Sequence, residues 1–466
     1  MRAIVFENYK TFPSLTEIET PTPGPGEVLL KVAGAGACHS DVAVYDVFEA
    51  DTPGAVPPPF VLGHESSGWV EEVGPGVDGF EKGDAYLVYG PVGCGRCKAC
   101  SRGQDTYCEN QATNPYMGIG LGRDGGMAEY VTVPARNLVP LGDADPVAAA
   151  PLADAGLTPY HAIKLALPHL AGGGRSALVI GLGGLGQIGV QILRALTGAT
   201  IIATDMKPEA MARAEKFGAV TVPGGEDQVE RIREITGGRG VDAVFDFVGA
   251  APTIDVAMRS VAVQGRVTVV GIDGGPHPWS FFTAPYESQL TSTYWGTIED
   301  LHEVVAMYRA GQIVPEIERF SLDGGLEAYR KLAAAANEDE LQEVLDELVD
   351  RYGPYPEAVG VLADVARLRI RARASGVNDI VVQGNFVRFG PVELEDSQVV
   401  RLKRLYPKSL LKPAIRSVLV PKPMDGNGFG AKEMTDSDIL RWAHQFLDAI
   451  LPVVPAEVVP SEVVQA

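Results

Sequence analysis

Four of the chain's five cysteines fall within one short stretch, PVGCGRCKACSRGQDTYCEN, as Cys94, Cys97, Cys100 and Cys108. The spacing C-x2-C-x2-C-x7-C lets four thiolates close a tetrahedron around Zn2+, with Zn–S near ~2.3 Å. Glycines in these loops let the backbone bend back so that each sulfur points inward. Protein would fill every position, leaving no room for water or substrate, so this site reads as structural zinc. An iron–sulfur cluster, a pair of disulfides or incidental cysteines are the competing readings. The odd cysteine count and the crowding favour metal-bound thiolates in a cytosolic setting over a disulfide framework.

The fifth cysteine, Cys38, lies in GAGACHSDVAVYD, and His64 follows in VLGHESSGWVEEVG. One thiolate, one imidazole and one further side chain would leave a fourth zinc position open to water or an alcohol oxygen. Zinc lowers the pKa of such an oxygen, which suits hydride removal from the carbon beneath it. Taken singly, Cys38 reads as an ordinary buried cysteine and His64 as a satisfied turn histidine. A third signature reverses that balance. ALVIGLGGLGQIGVQILRAL is a buried strand, a glycine turn and a helix, in which Gly181, Gly183 and Gly186 fit G-x-G-x-x-G. These glycines serve a tight turn, close approach to pyrophosphate and helix–strand packing. Gly184 and Leu185 open the helix, whose free amides face the phosphates. Asp205 ends the next strand, IIATD, 24 residues past Gly181. A carboxylate there binds both adenosine ribose hydroxyls and repels a 2'-phosphate, so NAD is favoured over NADP. Lys207 and Arg213 pull the other way, and a plain strand-end cap is the competing reading of Asp205.

The elements that must position these residues fall into distinct textures. Residues 1–153 are rich in glycine, proline and short β-type runs such as EVLLKVAGAG and AEYVTV, which reads as an irregular all-β domain. Residues 154–291 alternate buried strands with helices, the pattern of a doubly wound parallel α/β domain. Residues 292–332 are mixed and are expected to return to the first domain. A third, α+β texture spans 333–452. There Asn337 with Glu340 forms a capping box, and Leu341, Val344, Leu345, Leu348 and Val349 mark a helical face. A second helix carries Arg367, Arg369, Arg371 and Arg373, a hairpin turns at Gly384-Asn385, and DSDILRWAHQFLDAIL forms an amphipathic helix. Residues 453–466 read as a flexible tail.

In 466 residues, 39 basic against 60 acidic side chains leave a net charge of −21, which argues against nucleic-acid binding by the whole chain. No apolar run is long enough to span a membrane. The N-terminus MRAIVFENYK has neither the apolar run nor the cleavage site of a secretory signal, so a cytoplasmic location is expected.

GHE-x2-G-x-V-x2-VG, the four-cysteine lobe and the later GxGGxG together are similar to the zinc-containing medium-chain alcohol dehydrogenases. Cys38-His39-Ser40-Asp41, Asp154 to Ala162 (DAGLTPYHA) and Thr291 to Thr297 (TSTYWGT) most resemble the bacterial secondary-alcohol type. The resemblance covers residues 1–332 and implies a GroES-like catalytic domain followed by a Rossmann domain. It implies two zinc ions per chain and NAD as cofactors. It implies Cys38, His64 and Asp154 as catalytic zinc ligands, with Asp154 standing where many relatives place a cysteine and keeping the ligand charge. Glu65 is implied as an alternate ligand, and Asp41 as the group that orients His64 through its second ring nitrogen. Asp154 as a helix-start aspartate, and Glu65 and Asp41 as salt-bridge partners, are the plainer alternatives. Ser40 matches the hydroxyl that takes the alcohol proton. Ala43 stands where some relatives complete the relay with histidine, so the relay ends in water or at His39. The resemblance further implies a substrate pocket lined by Phe48, Tyr294 and Trp295, aromatics that suit small to medium ketones and secondary alcohols. The bland reading is that these rings are core.

From ELVDRYGPYPEAVGVLADVARLRIRARASGVNDIVVQGNFVRF through LKRLYP to RSVLVPKP, the chain is similar to the C-terminal regulatory domain of transcription-repair coupling factor. That stretch is locally basic, thirteen basic against six acidic residues between Arg351 and Lys422. Contact with protein partners is one implication and a solvated basic face the other. No GxxxxGK[ST] P-loop accompanies it. EAYRKL runs into AAAANEDELQEV where relatives continue into a final strand, which suggests a fusion at a shared helical stretch and loss of that strand. The expected function is therefore a zinc-dependent, NAD-linked oxidoreductase acting on alcohols, ketones or aldehydes, assembled as a homodimer or homotetramer. The alternatives are a protein-interaction fusion with an impaired dehydrogenase, and a polyol or threonine dehydrogenase of the same family.

Overall fold

The computed structural model describes residues 1–48, 50, 56–111, 117–225, 227–275 and 277–326, and, further on, 367, 368, 371, 372, 377, 379–383, 386–390, 392, 394, 396–412, 417–425, 432, 433 and 436–451. It divides into two compact units, Met1–Leu332 and Ala333–Ala466.

The first unit opens with β1 (Arg2–Phe6), β2 (Ser14–Glu17), β3 (Glu27–Gly36), β4 (Phe60–Val61), β5 (Glu65–Val73) and β6 (Ala85–Val88). The short β7 (Gly118–Ile119) and β8 (Gly122–Arg123), then β9 (Tyr130–Pro134) and β10 (Leu138–Pro140), complete it. Five of these strands form one sheet in the order β10-β6-β5-β3-β9, and β2-β1-β4 form another. Alternate residues point one way along a strand. Val28 and Leu30 of β3 meet Val70, Val88, Val131 and Val133 in a buried cluster. Antiparallel pairing of β3 with β5 runs as far as Gly36 opposite Glu65. That register sets the end of one strand, two residues before Cys38, beside the start of the other, one residue after His64.

Past the short helices α1 (His39–Val42) and α2 (Pro146–Ala149), α3 (Leu157–Leu170) leads into the second layer. There β11 (Ser176–Ile180), α4 (Gly184–Leu196), β12 (Thr200–Thr204), α5 (Pro208–Lys216), β13 (Val220–Thr221), α6 (Gln228–Ile235), β14 (Val241–Asp246), α7 (Ala251–Ser260), β15 (Val261–Val269) and β16 (Gln289–Ser292) alternate. Every residue of β11 and β14 is buried. Such continuous apolar runs belong to parallel strands covered on both faces. The six strands are parallel in the order β13-β12-β11-β14-β15-β16, the doubly wound arrangement whose order reverses between β11 and β14. By sequence alone GRVTVVGI reads as an edge strand offering a subunit contact; β15 instead lies between β14 and β16, and β16 forms that edge. The sequence hides this because β16 is short and follows a long irregular loop.

The chain after β16 packs back on the first layer. The Tyr89 hydroxyl donates to the Gly296 carbonyl at 2.7 Å, Arg2 pairs with Asp323 at 2.7 Å, and Arg319 meets Asp145 at 3.1 Å. α8 (Ile298–Arg309) is tied to α3 by Lys164 and Asp300 at 2.8 Å.

The second unit has a four-stranded antiparallel sheet, β17 (Asp379–Gln383), β18 (Phe386–Gly390), β19 (Leu410–Lys412) and β20 (Ser417–Pro421), in the order β17-β18-β20-β19. A two-stranded ribbon, β21 (Met424–Asp425) with β22 (Lys432–Glu433), follows. Gln383 pairs with Phe386, so the connection falls at 384–385, which lie outside the described residues. Helices α9 (Asp396–Leu405) and α10 (Asp436–Ile450) complete the unit. Its own core is aromatic: Phe389 stacks on Phe446 at 4.2 Å, and Tyr406 meets Phe446 edge-on at 5.1 Å. The 337–349 helix, the 334–350 junction and the 453–466 tail lie outside the described residues, as do Arg369 and Arg373. The fold is thus α/β, with an irregular β domain, a doubly wound parallel sheet and a C-terminal α+β unit.

Candidate functional site

The β3–β5 register brings together residues far apart in sequence. Cys38, His64, Glu65 and Asp154 each offer a ligand atom, and these atoms all lie within 4.8 Å of one another. Asp154 arrives from a third direction, at the end of a 3-10 turn, Ala150–Ala153, that packs on β5. Its Oδ2 lies 3.9 Å from Cys38 Sγ and 3.7 Å from His64 Nε2. Tetrahedral zinc with bonds of about 2.0–2.3 Å spaces its ligand atoms about 3.3–3.6 Å apart. The donor set therefore fits zinc with only a small inward adjustment.

Electrostatics point the same way. Asp41, His64, Glu65 and Asp154 are all buried. Three carboxyls and a thiol packed around one imidazole are costly to bury unless a cation joins them. In the protein alone, burial pushes the Cys38 thiol up, with His64 opposing. Burial and the neighbouring Asp154 push Glu65 well above the carboxylate range. Burial disfavours charge on His64, yet Asp41, Asp154 and Cys38 outweigh it and raise its pKa well above normal. A bound dication inverts this logic, holding the thiol deprotonated and the imidazole neutral.

The surrounding residues orient the donors. His64 Nδ1 contacts Asp41 Oδ1 at 3.0 Å, and the other Asp41 oxygen accepts the Cys38 amide at 3.0 Å. One carboxylate thus fixes both ligands and leaves Nε2 facing Cys38 and Asp154. Thr158 donates to Asp154 Oδ1 at 2.6 Å, leaving Oδ2 for the cluster. Ser40 Oγ is 3.6 Å from Cys38 Sγ, and His39, on the same short helix, lines the adjoining cleft. Glu65 folds over Gly36 so closely that a Cβ there would fall 1.8 Å from its Oε2. Trp295 is buried with its ring 6.1 Å from that of His64, and Tyr294 lies 5.7 Å from Trp295. Phe48 is half-buried and packs on the main core.

The second cluster is Cys94, Cys97, Cys100 and Cys108, with sulfurs mutually within 4.8 Å and all thiols free. Backbone amides already point at the sulfurs: Cys94 N is 3.3 Å from Cys108 Sγ, and Cys100 N is 3.5 Å from Cys97 Sγ. The Asn110 amide donates to Cys94 Sγ at 3.2 Å. With amides of Arg96 and Cys97 it lowers the Cys94 thiol to about 6, thiolate character suited to a metal. Arg136 fastens the lobe through Asp105 at 2.6 Å and the Cys100 carbonyl at 3.0 Å.

Gly181 leaves β11 with φ of 84°, a left-handed turn that favours glycine. A Cβ on Gly186 would meet the Gly181 carbonyl at 1.9 Å, whereas Gly183 and Gly184 have open space around them. The turn is therefore tight below and accessible above, at the N-terminus of α4, as pyrophosphate approach requires. Asp205 follows β12 directly. Its carboxylate accepts from the Leu182 amide at 2.6 Å and the Lys207 amide at 2.9 Å, so it also braces the turn. A cleft of about 570 Å³ runs past Cys38, His39, Glu65, Gly184, Leu185 and Arg319, joining the first cluster to this turn.

Several participants escape sequence reasoning. Thr158 stands four residues after Asp154, a helical spacing that could have flagged it. Asp246, at the end of β14, accepts from Val248 and Gly249 amides and the Thr253 hydroxyl beside the reversal in strand order. The 315–325 segment on the cleft carries no motif.

Comparison with known proteins gives matches over most of the chain. A family model described as an alcohol dehydrogenase GroES-like domain matches residues 24–143, and one described as a zinc-binding dehydrogenase matches 184–310. A TRCF domain model matches 323–402. The chain is 36% identical over 325 residues to the NAD-dependent alcohol dehydrogenase of Sulfolobus acidocaldarius, covering 68% of this chain and 92% of that protein. The crystal structure of the alcohol dehydrogenase of Aeropyrum pernix aligns with a TM-score of 0.66 at 34% identity, over 72% of this chain and 97% of that one. Acetophenone reductase of Geotrichum candidum, solved in complex with NAD, aligns with a TM-score of 0.63 at 32% identity, over 72% and 94%.

Proposed function

Since this chain belongs to the zinc-binding, NAD-dependent alcohol dehydrogenase family, we propose that it interconverts small to medium secondary alcohols and their ketones, with Cys38, His64 and Asp154 holding the catalytic zinc. The observation that carries this is the buried Cys38–His64–Asp154 set opening onto a cleft that reaches the N-terminus of α4. A zinc held by these three residues would supply polarisation of the alcohol oxygen, and a bound NAD would supply the hydride acceptor.

The chain's own residues do the rest. Asp41 holds the proton on His64 Nδ1 and so keeps Nε2 a lone-pair donor. Ser40 takes the hydroxyl proton at Oγ, and exposed His39 on the cleft wall carries it outward, since Ala43 offers no second relay group. The amides at Gly184 and Leu185 bind pyrophosphate, Gly181, Gly183 and Gly186 shape the turn for it, and Asp205 recognises the adenosine ribose. Glu65 serves as an alternate ligand. Cys94, Cys97, Cys100 and Cys108 hold a structural zinc. Trp295 and Tyr294 line the substrate side nearest His64, and Phe48 is assigned to the same pocket by the family resemblance alone. Support for ketones of this size comes from these rings and from the likeness to acetophenone reductase.

The test is NAD-dependent oxidation of 2-propanol and 1-phenylethanol by zinc-replete protein, with a polyol and threonine panel alongside. Turnover of the first two is expected. No turnover by folded, zinc-loaded protein would leave the protein-interaction reading, which the TRCF match favours. That match begins at 323, within the segment lining the cleft, consistent with fusion at a shared stretch and loss of the last dehydrogenase strand. Restoring that strand is then expected to raise activity. Among the described residues no helix is long and apolar enough to cross a membrane. As a homo-oligomer, the chain would pair along β16, an open sheet edge flanked by exposed Phe281, Phe282 and Tyr286. Light scattering gives the copy number.

A further inference from the structure

Trp295 has a left-handed backbone, φ of 48°, which bulky side chains rarely adopt. Such a residue persists only where its surroundings over-determine it, and it marks a functional position more often than chance. The surroundings here are specific. The ring sits over glycines: a Cβ on Gly90 would lie 3.1 Å from Trp295 Cζ2, and one on Gly118 3.1 Å from its Cη2. The backbone on each side is held by the four-cysteine lobe. Thr106 Oγ1 donates to the Tyr294 carbonyl at 3.2 Å, and the Ile298 amide donates to the Gly103 carbonyl at 3.1 Å. Gly103, Thr106 and Tyr107 all lie between Cys100 and Cys108.

A relay from exposed Tyr107 to buried His161 and Asp300 completes the clamp. The Tyr107 hydroxyl meets His161 Nε2 at 2.9 Å, and His161 Nδ1 meets Asp300 Oδ2 at 2.7 Å. The Nδ1–H tautomer satisfies both bonds, with Tyr107 donating to Nε2 and Asp300 accepting. The same Asp300 oxygen accepts the Thr297 amide at 2.9 Å, two residues beyond Trp295. Gly296, between them, abuts Leu157 and His161, where a Cβ would come within 2.7 and 3.0 Å.

We propose that the four-cysteine lobe sets substrate selectivity, with Thr106, Tyr107 and His161 acting as positioning residues that hold Trp295 against His64. This rests on reading the Cys38–His64–Asp154 cluster as the dehydrogenase site. The lobe is thereby more than a staple: its loop end is one jaw of the clamp on the pocket wall. Loosening the clamp lets Trp295 leave its left-handed conformation and widens the pocket without touching the catalytic ligands.

The test uses the full chain carrying Thr106→Val and Tyr107→Phe, singly and together. Both are near-isosteric and remove only a hydroxyl contact. Tyr160→Phe, which breaks the Tyr160–Glu303 bond between α3 and α8 next to His161 in sequence, is the control. In the double variant KM for 1-phenylethanol is expected to shift about three- to tenfold relative to 2-propanol, the scale of one or two lost hydrogen bonds, while kcat on 2-propanol stays within about twofold. Trp295 emission, isolated by subtraction of Trp295→Phe spectra, is expected to shift as the ring moves, with zinc still at two per chain. The control is expected to match wild type. Unchanged selectivity together with unchanged Trp295 emission overturns the proposal. The emission readout does not need turnover, so an inactive wild type refutes the dehydrogenase reading, while a shifted Trp295 signal still reports the clamp.

Discussion

Asp41 joins two ligands through one carboxylate, taking His64 Nδ1 and the Cys38 amide at 3.0 Å each. Asp41→Ala is expected to lower zinc affinity or activity about 10–100-fold, the usual consequence of losing a group that orients a ligand, read by metal analysis and kcat/KM. Cys38→Ser goes further: turnover and one zinc are lost while the four-cysteine zinc stays, and retained turnover would refute the ligand assignment. Asp205 has two duties, bracing the glycine turn and recognising ribose. Asp205→Ser is expected to raise KM for NAD about tenfold and to admit NADP, since the charge that repels a 2'-phosphate is gone. Asp205 and Cys38 stand out in sequence because their motifs are local. Thr158 and Asp246 do not, because their short-range bonds belong to no motif, and His161 does not, because its partners Tyr107 and Asp300 come from distant elements.

Among elements, the tight contact between α4 and the turn after β11 sets the cofactor site. Gly186→Ala places a methyl 1.9 Å from the Gly181 carbonyl, so the helix must move away. A cost of about 1–3 kcal/mol and weaker NAD binding are expected, read as a lower Tm and a higher Kd. The base of β14 shows how the sheet responds to acid. Burial alone would raise the Asp242 carboxyl, but Arg239, the Ser176 amide and Arg175 outweigh it and hold it far below the usual carboxylate range. Its folded pKa is depressed, so its contribution to stability is present above the ordinary carboxylate pKa of about 4 and is lost as pH falls below that. Asp242→Asn is therefore expected to reduce stability at neutral pH by about 1–3 kcal/mol and to flatten the acid limb of a Tm-against-pH curve. An unchanged acid limb would remove Asp242 from that role. These strands are legible as buried apolar runs, yet the sheet edge is not: β16 follows an irregular loop, and only its pairing with β15 reveals it.

At the scale of the whole molecule, each unit has its own core, one spanning the dehydrogenase layers and one built on Phe389, Trp442 and Phe446. Separate cores favour separate cooperative transitions. Calorimetry is expected to show two, and a zinc chelator is expected to lower only the one belonging to Met1–Leu332. A single transition unaffected by chelation would contradict this division.

The sequence by itself determined the chemistry. Cysteine spacing, the GHE segment and GxGGxG are local signals, since metal loops and phosphate turns are built from neighbouring residues. It also determined the kind of elements, because burial imposes apolar periodicity on a strand or helix. Tertiary structure alone decided which atoms meet. Asp154 reaches His64 across ninety residues only because β3 and β5 pair to Gly36 opposite Glu65 and a 3-10 turn packs beside them. The left-handed Trp295 and the Tyr107–His161–Asp300 clamp follow from packing between elements, which no spacing in one dimension records.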